Sequence, residues 1–134
     1  MKNLALILIV ALGTAVPAFA DDAKPAAPLP PASTKTGVTY ATDIKPIFDA
    51  SCIKCHTGAK KPKAKLALDS FAGALKGGKD GKVIIPGDSA KSDLVRAIAH
   101  IGDPMTFMPK GKHVKKLSDE QIGLIRAWID QGAK

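Results

Sequence analysis

Apolar residues recur at three- and four-residue intervals at Ile122, Ile125 and Ile129, with Leu124 and Trp128 beside them, which is the period of one helix face. Ser118 followed by Gln121 supplies a capping box at the start, and Gly132 a stop. The same spacing links Leu94, Val95, Ile98 and Ile101, after Pro86-Gly87 breaks the chain behind Val83-Ile84-Ile85. Ser89 or Ser92 is placed to cap that helix. A shorter helix fits Asp69 to Lys76, ended by Gly77-Gly78. Another opens at Thr42 to Phe48, with Thr42 or Asp43 as cap and Pro46 in the first turn, where its missing N–H costs little. From Thr57 to Lys65 the pattern lapses into a lysine-rich loop. The expectation is an all-α domain of four to five short helices joined by long loops.

The N-terminal pattern differs. Lys2 precedes an apolar run from Leu4 to Leu12 and a small-residue site at Ala18-Phe19-Ala20, the layout of a cleaved secretory signal. Residues 1–20 are therefore read as a signal peptide, and the run is short of the roughly 20 residues that span a bilayer, so no stable membrane insertion is expected after cleavage. Residues 21–37 carry Pro25, Pro28, Pro30 and Pro31 among small polar residues and read as an extended tether. Residues 38–134 then suffice for one small domain with a marginal core.

Charge narrows the partners. The formal net charge is +8, and loss of Lys2 with the signal lowers it by one, to +7. An exported basic protein seldom meets nucleic acid, so an acidic redox partner or an anionic surface is the expected counterpart.

The chemistry lies in Cys52-Ile53-Lys54-Cys55-His56. Two thiols three positions apart with a His directly after the second form the attachment signature of c-type haem: each thiol adds to a vinyl group and the imidazole binds the iron from one face. These are the chain's two cysteines, so one haem is expected, and a prosthetic group to wrap accounts for the long loops. Two rivals share the spacing. A thioredoxin-like pair follows a strand in a βαβ unit and has a depressed thiol pKa, yet nothing before Cys52 reads as a buried strand. A structural zinc site needs four ligands, and only His100 and His113 remain.

Candidates for the second axial ligand are Met105, Met108, His100 and His113. Met108, in Phe107-Met108-Pro109-Lys110 between the last two helices, is favoured because a thioether in that irregular loop can approach the iron opposite His56, with Pro109 restricting the backbone. Met105, beside Pro104, is its nearest competitor. His100 is expected to end the third helix, where a cation suits the dipole, and His113 to be a solvated residue among lysines.

The sequence resembles the small monohaem cytochromes c, in particular the planctomycete-type cytochrome c domain. Besides the haem motif, the resemblance rests on Asp43-Ile44-Lys45-Pro46-Ile47-Phe48, Leu66-Ala67-Leu68-Asp69-Ser70, Gly77-Gly78, Ile84-Ile85-Pro86-Gly87-Asp88 with Ser92-Asp93-Leu94, Met108-Pro109, Leu117 to Ile122 and Trp128 to Ala133. It implies a cytochrome c-like fold around one covalent haem c, with Cys52 and Cys55 as thioether attachments, His56 as proximal and Met108 as distal iron ligand. Lys110 departs from the family's usual second proline, and His113 to Lys116 is a short extra segment. The implied activity is a periplasmic electron carrier between redox proteins, not an enzyme, since two strong axial ligands leave no open iron position. The rival is a haem peroxidase or gas sensor with a labile sixth ligand.

Overall fold

The computed structural model describes residues 28–111 and 114–134. The expected signal peptide, the first part of the tether, Lys112 and His113 lie outside the described residues. Helices α1 (Lys45–Ser51), α2 (Phe71–Lys76), α3 (Asp93–Ile98) and α4 (Asp119–Asp130) carry the fold, supplemented by a π-helical turn at Tyr40–Ile44 and 3₁₀ turns at Lys63–Lys65 and Pro104–Thr106. Among the described residues the only β pairing is an isolated bridge between Gly78 and Gly81, and no helix is long and apolar enough to cross a membrane. The all-α expectation holds.

The first helical segment starts earlier than its residues suggest. Thr39, not Thr42 or Asp43, is the cap: its hydroxyl accepts the Thr42 N–H at 3.4 Å, and its own N–H donates to the Asp43 carboxylate at 2.9 Å. The cause is the wide turn Tyr40–Ile44, in which the Lys45 N–H reaches back to the Tyr40 carbonyl. That turn sits directly before Pro46, whose ring would crowd a regular preceding turn.

Helix α4 forms as its pattern predicts. Ser118 and Gln121 close the reciprocal cap at 3.3 and 3.0 Å, and Gly132 turns the chain away at φ +98°. Its face of Ile122, Ile125, Trp128 and Ile129 is buried in one core with Ile44 and Phe48 of the first segment and Val95 and Ile98 of α3. Tyr40 stands among Phe48, Phe71 and Trp128, with ring centroids 6.2, 5.7 and 5.8 Å away. Burial, with Asp49 nearby, pushes its phenol up to about 12, so the group stays neutral and donates to the Leu68 carbonyl at 2.9 Å.

Two helix ends depart from expectation. Ser92 occupies the cap position of α3, but its hydroxyl donates to the Asp88 carbonyl and accepts the Ile85 N–H, both at 2.9 Å. Ser89 turns to Asp130 and Arg126 of α4. Both hydroxyls are buried, so tertiary partners outcompete the helix end. Helix α3 stops at Ile98, short of Ile101, because His100 takes a positive φ of 55° and Gly102 one of 97°.

The stretch before Val38 is irregular, as its prolines dictate, yet it lies along α4. Ser33 donates its N–H to the Gly123 carbonyl at 2.9 Å, Arg126 donates to the Pro30 carbonyl, and Gln131 donates to the Lys35 carbonyl at 2.7 Å. Leu29 packs against the core.

Candidate functional site

The motif Cys52 to His56 follows α1 without a gap. The Cys52 N–H caps α1 on the Phe48 carbonyl at 2.7 Å, and the Cys52 carbonyl then accepts the N–H groups of Cys55 (3.1 Å) and His56 (3.0 Å). This tight turn brings both thiols and the imidazole onto one short segment. Both thiols are free and partly exposed, while Lys54 between them points to solvent.

The His56 ring is buried at 8% exposure, and its Nδ1 lies 3.2 Å from the Leu66 carbonyl. A carbonyl oxygen only accepts, so Nδ1 carries a proton and donates, and Nε2 is the ring nitrogen left to meet a ligand. A ligating imidazole is oriented by such a bond in general. The main chain repeats the grip, for the Leu68 N–H donates to the His56 carbonyl at 2.7 Å. Next door, Asp69 accepts the Thr57 hydroxyl at 2.7 Å and the Gly58 N–H at 2.8 Å, bonds that hold its carboxyl below the usual carboxylate range, the Thr57 hydroxyl foremost. Ser70 caps α2 on the Gly73 N–H at 3.2 Å. The run Leu66 to Ser70 is thus the clamp that fixes His56 from behind.

These residues fit a c-type haem: unbridged thiols for two thioether bonds and, one residue on, an imidazole whose Nδ1 is engaged by a main-chain carbonyl. Neither the burial of Cys52 nor the spacing of its neighbours favours the rivals. Burial pushes the Cys52 thiol up to about 11, opposite to the depressed value thiol exchange requires. Among the described residues no three His, Cys, Asp or Glu side chains gather where they would hold a metal ion, as a zinc site demands.

Met108 is half-buried and packs against the same core as Cys52, whereas Met105 is 75% exposed. Its segment is more ordered than a bare loop. Asp103 accepts the Met105 N–H at 2.8 Å, and its carbonyl accepts the Thr106 hydroxyl at 2.7 Å, closing the turn Pro104–Thr106. The Met108 N–H donates to the Ala97 carbonyl at 3.0 Å. Lys110, standing where a second proline was expected, donates its ammonium to the Met105 carbonyl at 2.5 Å and ties the segment in another way. His100 stacks on Phe107 at 4.7 Å and 18°, and its Nε2 lies 2.9 Å from the Met108 carbonyl. No local pattern marks the Leu66 carbonyl as a partner of His56, or His100 as a partner of the Met108 main chain rather than a candidate ligand. Their roles arise from contacts across 10 and 8 residues.

A profile of the planctomycete cytochrome C family matches residues 52–111, from the first motif thiol through the Met108 segment, a narrower span than the motifs from Asp43 to Ala133 on which the resemblance rests. No curated protein and no solved structure matches the chain. Over that span the chain resembles the planctomycete cytochrome C family, and the span contains all four of Cys52, Cys55, His56 and Met108.

Proposed function

We propose that this protein is an exported monohaem cytochrome c that carries single electrons in the periplasm, with one haem c bonded through Cys52 and Cys55 and ligated by His56 and Met108. The observation that carries the reading is the His56 imidazole, whose Nδ1–H is engaged by the Leu66 carbonyl at 3.2 Å, leaving Nε2 for iron one residue after a pair of unbridged thiols. The haem, when bound, supplies a reversible one-electron ferric/ferrous couple.

The chain's own residues set the conditions for that couple. The Leu66 carbonyl fixes the ring plane and tautomer of His56 and increases its basicity. Cys52 and Met108 both pack their partly buried side chains against the apolar core, which would give the haem an apolar wall on those sides. A Met thioether raises the potential relative to a second imidazole. Exposed Lys60, Lys61, Lys63 and Lys65 follow the motif in sequence, and exposed Lys110 follows Met108, offering positive charge to an acidic donor or acceptor.

Protein produced with cytochrome c maturation machinery tests the attachment. Its intact mass should equal the chain from about Asp21 plus one haem, and the haem should stay with the polypeptide in acidified organic solvent. Extraction of the haem would overturn the assignment.

A further inference from the structure

We propose that His100 is a positioning residue for the distal ligand, holding Met108 on the iron through an imidazole-to-carbonyl hydrogen bond. The inference rests on the His/Met reading above and adds what fastens its weaker side. Of the two ligands the thioether is the more easily displaced, so its occupancy depends on how firmly the protein presents it.

Three features converge on Met108. Its N–H is tied to Ala97 at the end of α3, at 3.0 Å. Its carbonyl meets His100 Nε2 at 2.9 Å, and since a carbonyl only accepts, Nε2 carries a proton and is the donor. The preceding side chain, Phe107, is stacked on the same imidazole at 4.7 Å. His100 therefore grips residues 107 and 108 together, ring against ring and N–H against carbonyl. It does so from a positive φ of 55°, a conformation that side-chain-bearing residues seldom take. With Nε2 spent on Met108, His100 serves the second ligand without being it.

Loosening that grip lowers the cost of moving Met108 aside, so an added ligand competes better for the sixth position. The probe is imidazole titrated into the ferric holoprotein, read by loss of the sulfur-to-iron charge-transfer band. His100→Gly removes the ring and relieves the positive φ, so the fold is not burdened, and far-UV circular dichroism checks this. His100→Gln returns a donor near the Nε2 position without the aromatic stack.

His100→Gly is expected to bind imidazole between about three- and tenfold more tightly than wild type, the range one neutral hydrogen bond supports, and His100→Gln to lie closer to wild type. An unchanged affinity in His100→Gly overturns the proposal while leaving His/Met ligation standing. Equal tightening in both variants overturns the hydrogen bond as the device. A wild-type protein with no charge-transfer band overturns both the proposal and the ligand assignment beneath it.

Discussion

Ser33 and Gly123 meet main chain to main chain: the Ser33 N–H donates to the Gly123 carbonyl at 2.9 Å, and a Cβ on Gly123 would lie 2.6 Å from the Pro31 carbonyl oxygen. The helix accepts a residue of poor helix propensity here because the N-terminal segment crosses too closely for any side chain.

Gly123→Ala should therefore behave unlike an ordinary Gly-to-Ala change in a helix, which gains up to about 1 kcal/mol. The segment around Pro31 must lift from α4, releasing the bonds of Ser33 and of Arg126 to Pro30. Limited proteolysis should cut before Val38 faster in the variant, with no gain in thermal stability. A more stable variant with unchanged proteolysis would show that the segment is not seated on α4.

Acid should loosen the region around the first helix. Asp43 is held down to about 2 by the Lys35 ammonium first, then by the Thr39 N–H and the Thr42 hydroxyl, against an ordinary 3.8. A folded-state pKa below the unfolded one contributes stability above about 3.8 that is lost as pH falls towards 2. Asp69, lowered chiefly by the Thr57 hydroxyl, acts in the same direction. Asp43→Asn should melt lower than wild type at neutral pH, and the two melting curves should converge in strong acid. Because the Lys35 ammonium is exposed, salt should narrow the difference at neutral pH. Parallel acid profiles would assign the acid sensitivity to other carboxylates.

Electron transfer with an acidic partner should slow as ionic strength rises, since screening reaches about 10 Å at 0.1 M salt. Lys63 is exposed, and its main-chain N–H is bonded to the Cys55 carbonyl at 2.9 Å, so its main chain is fixed beside the Cys52–His56 motif. Lys61→Glu with Lys63→Glu should lower the association rate more than Lys24→Glu in the N-terminal stretch. Rates insensitive to salt and to these reversals would remove the lysine loop from docking.

What the residues announced and what they hid divides by distance along the chain. The capping box at Ser118 and Gln121 depends on neighbours within five positions and is legible directly, as is the local turn that the Cys52–His56 residues form. The Thr39 cap was hidden because a wide turn before Pro46 shifts the start. The diversion of Ser89 and Ser92 was hidden because their partners, among them Asp130 and Arg126, are assembled by packing. The run Leu66 to Ser70 was recognisable as a motif, but its purpose, a clamp on His56, Thr57 and Gly58 that ends in a helix cap, emerges only in three dimensions.

Met108 carries the choice between a carrier and a haem open to ligands. It is half-buried against the core, while Met105, three residues earlier, is 75% exposed and has its main chain engaged by Asp103 and Lys110. Oxidised wild type should show the weak sulfur-to-iron band near the red end of the visible spectrum. Met108→Ala should abolish the band, admit carbon monoxide in the reduced state and lower the reduction potential, because a soft ligand favouring ferrous iron is lost. Met105→Ala should change none of these, since its side chain is exposed and does not pack with the core. The reverse pattern would transfer ligation to Met105. A wild type that binds carbon monoxide readily would instead make the peroxidase or gas-sensing alternative the better account of the same haem.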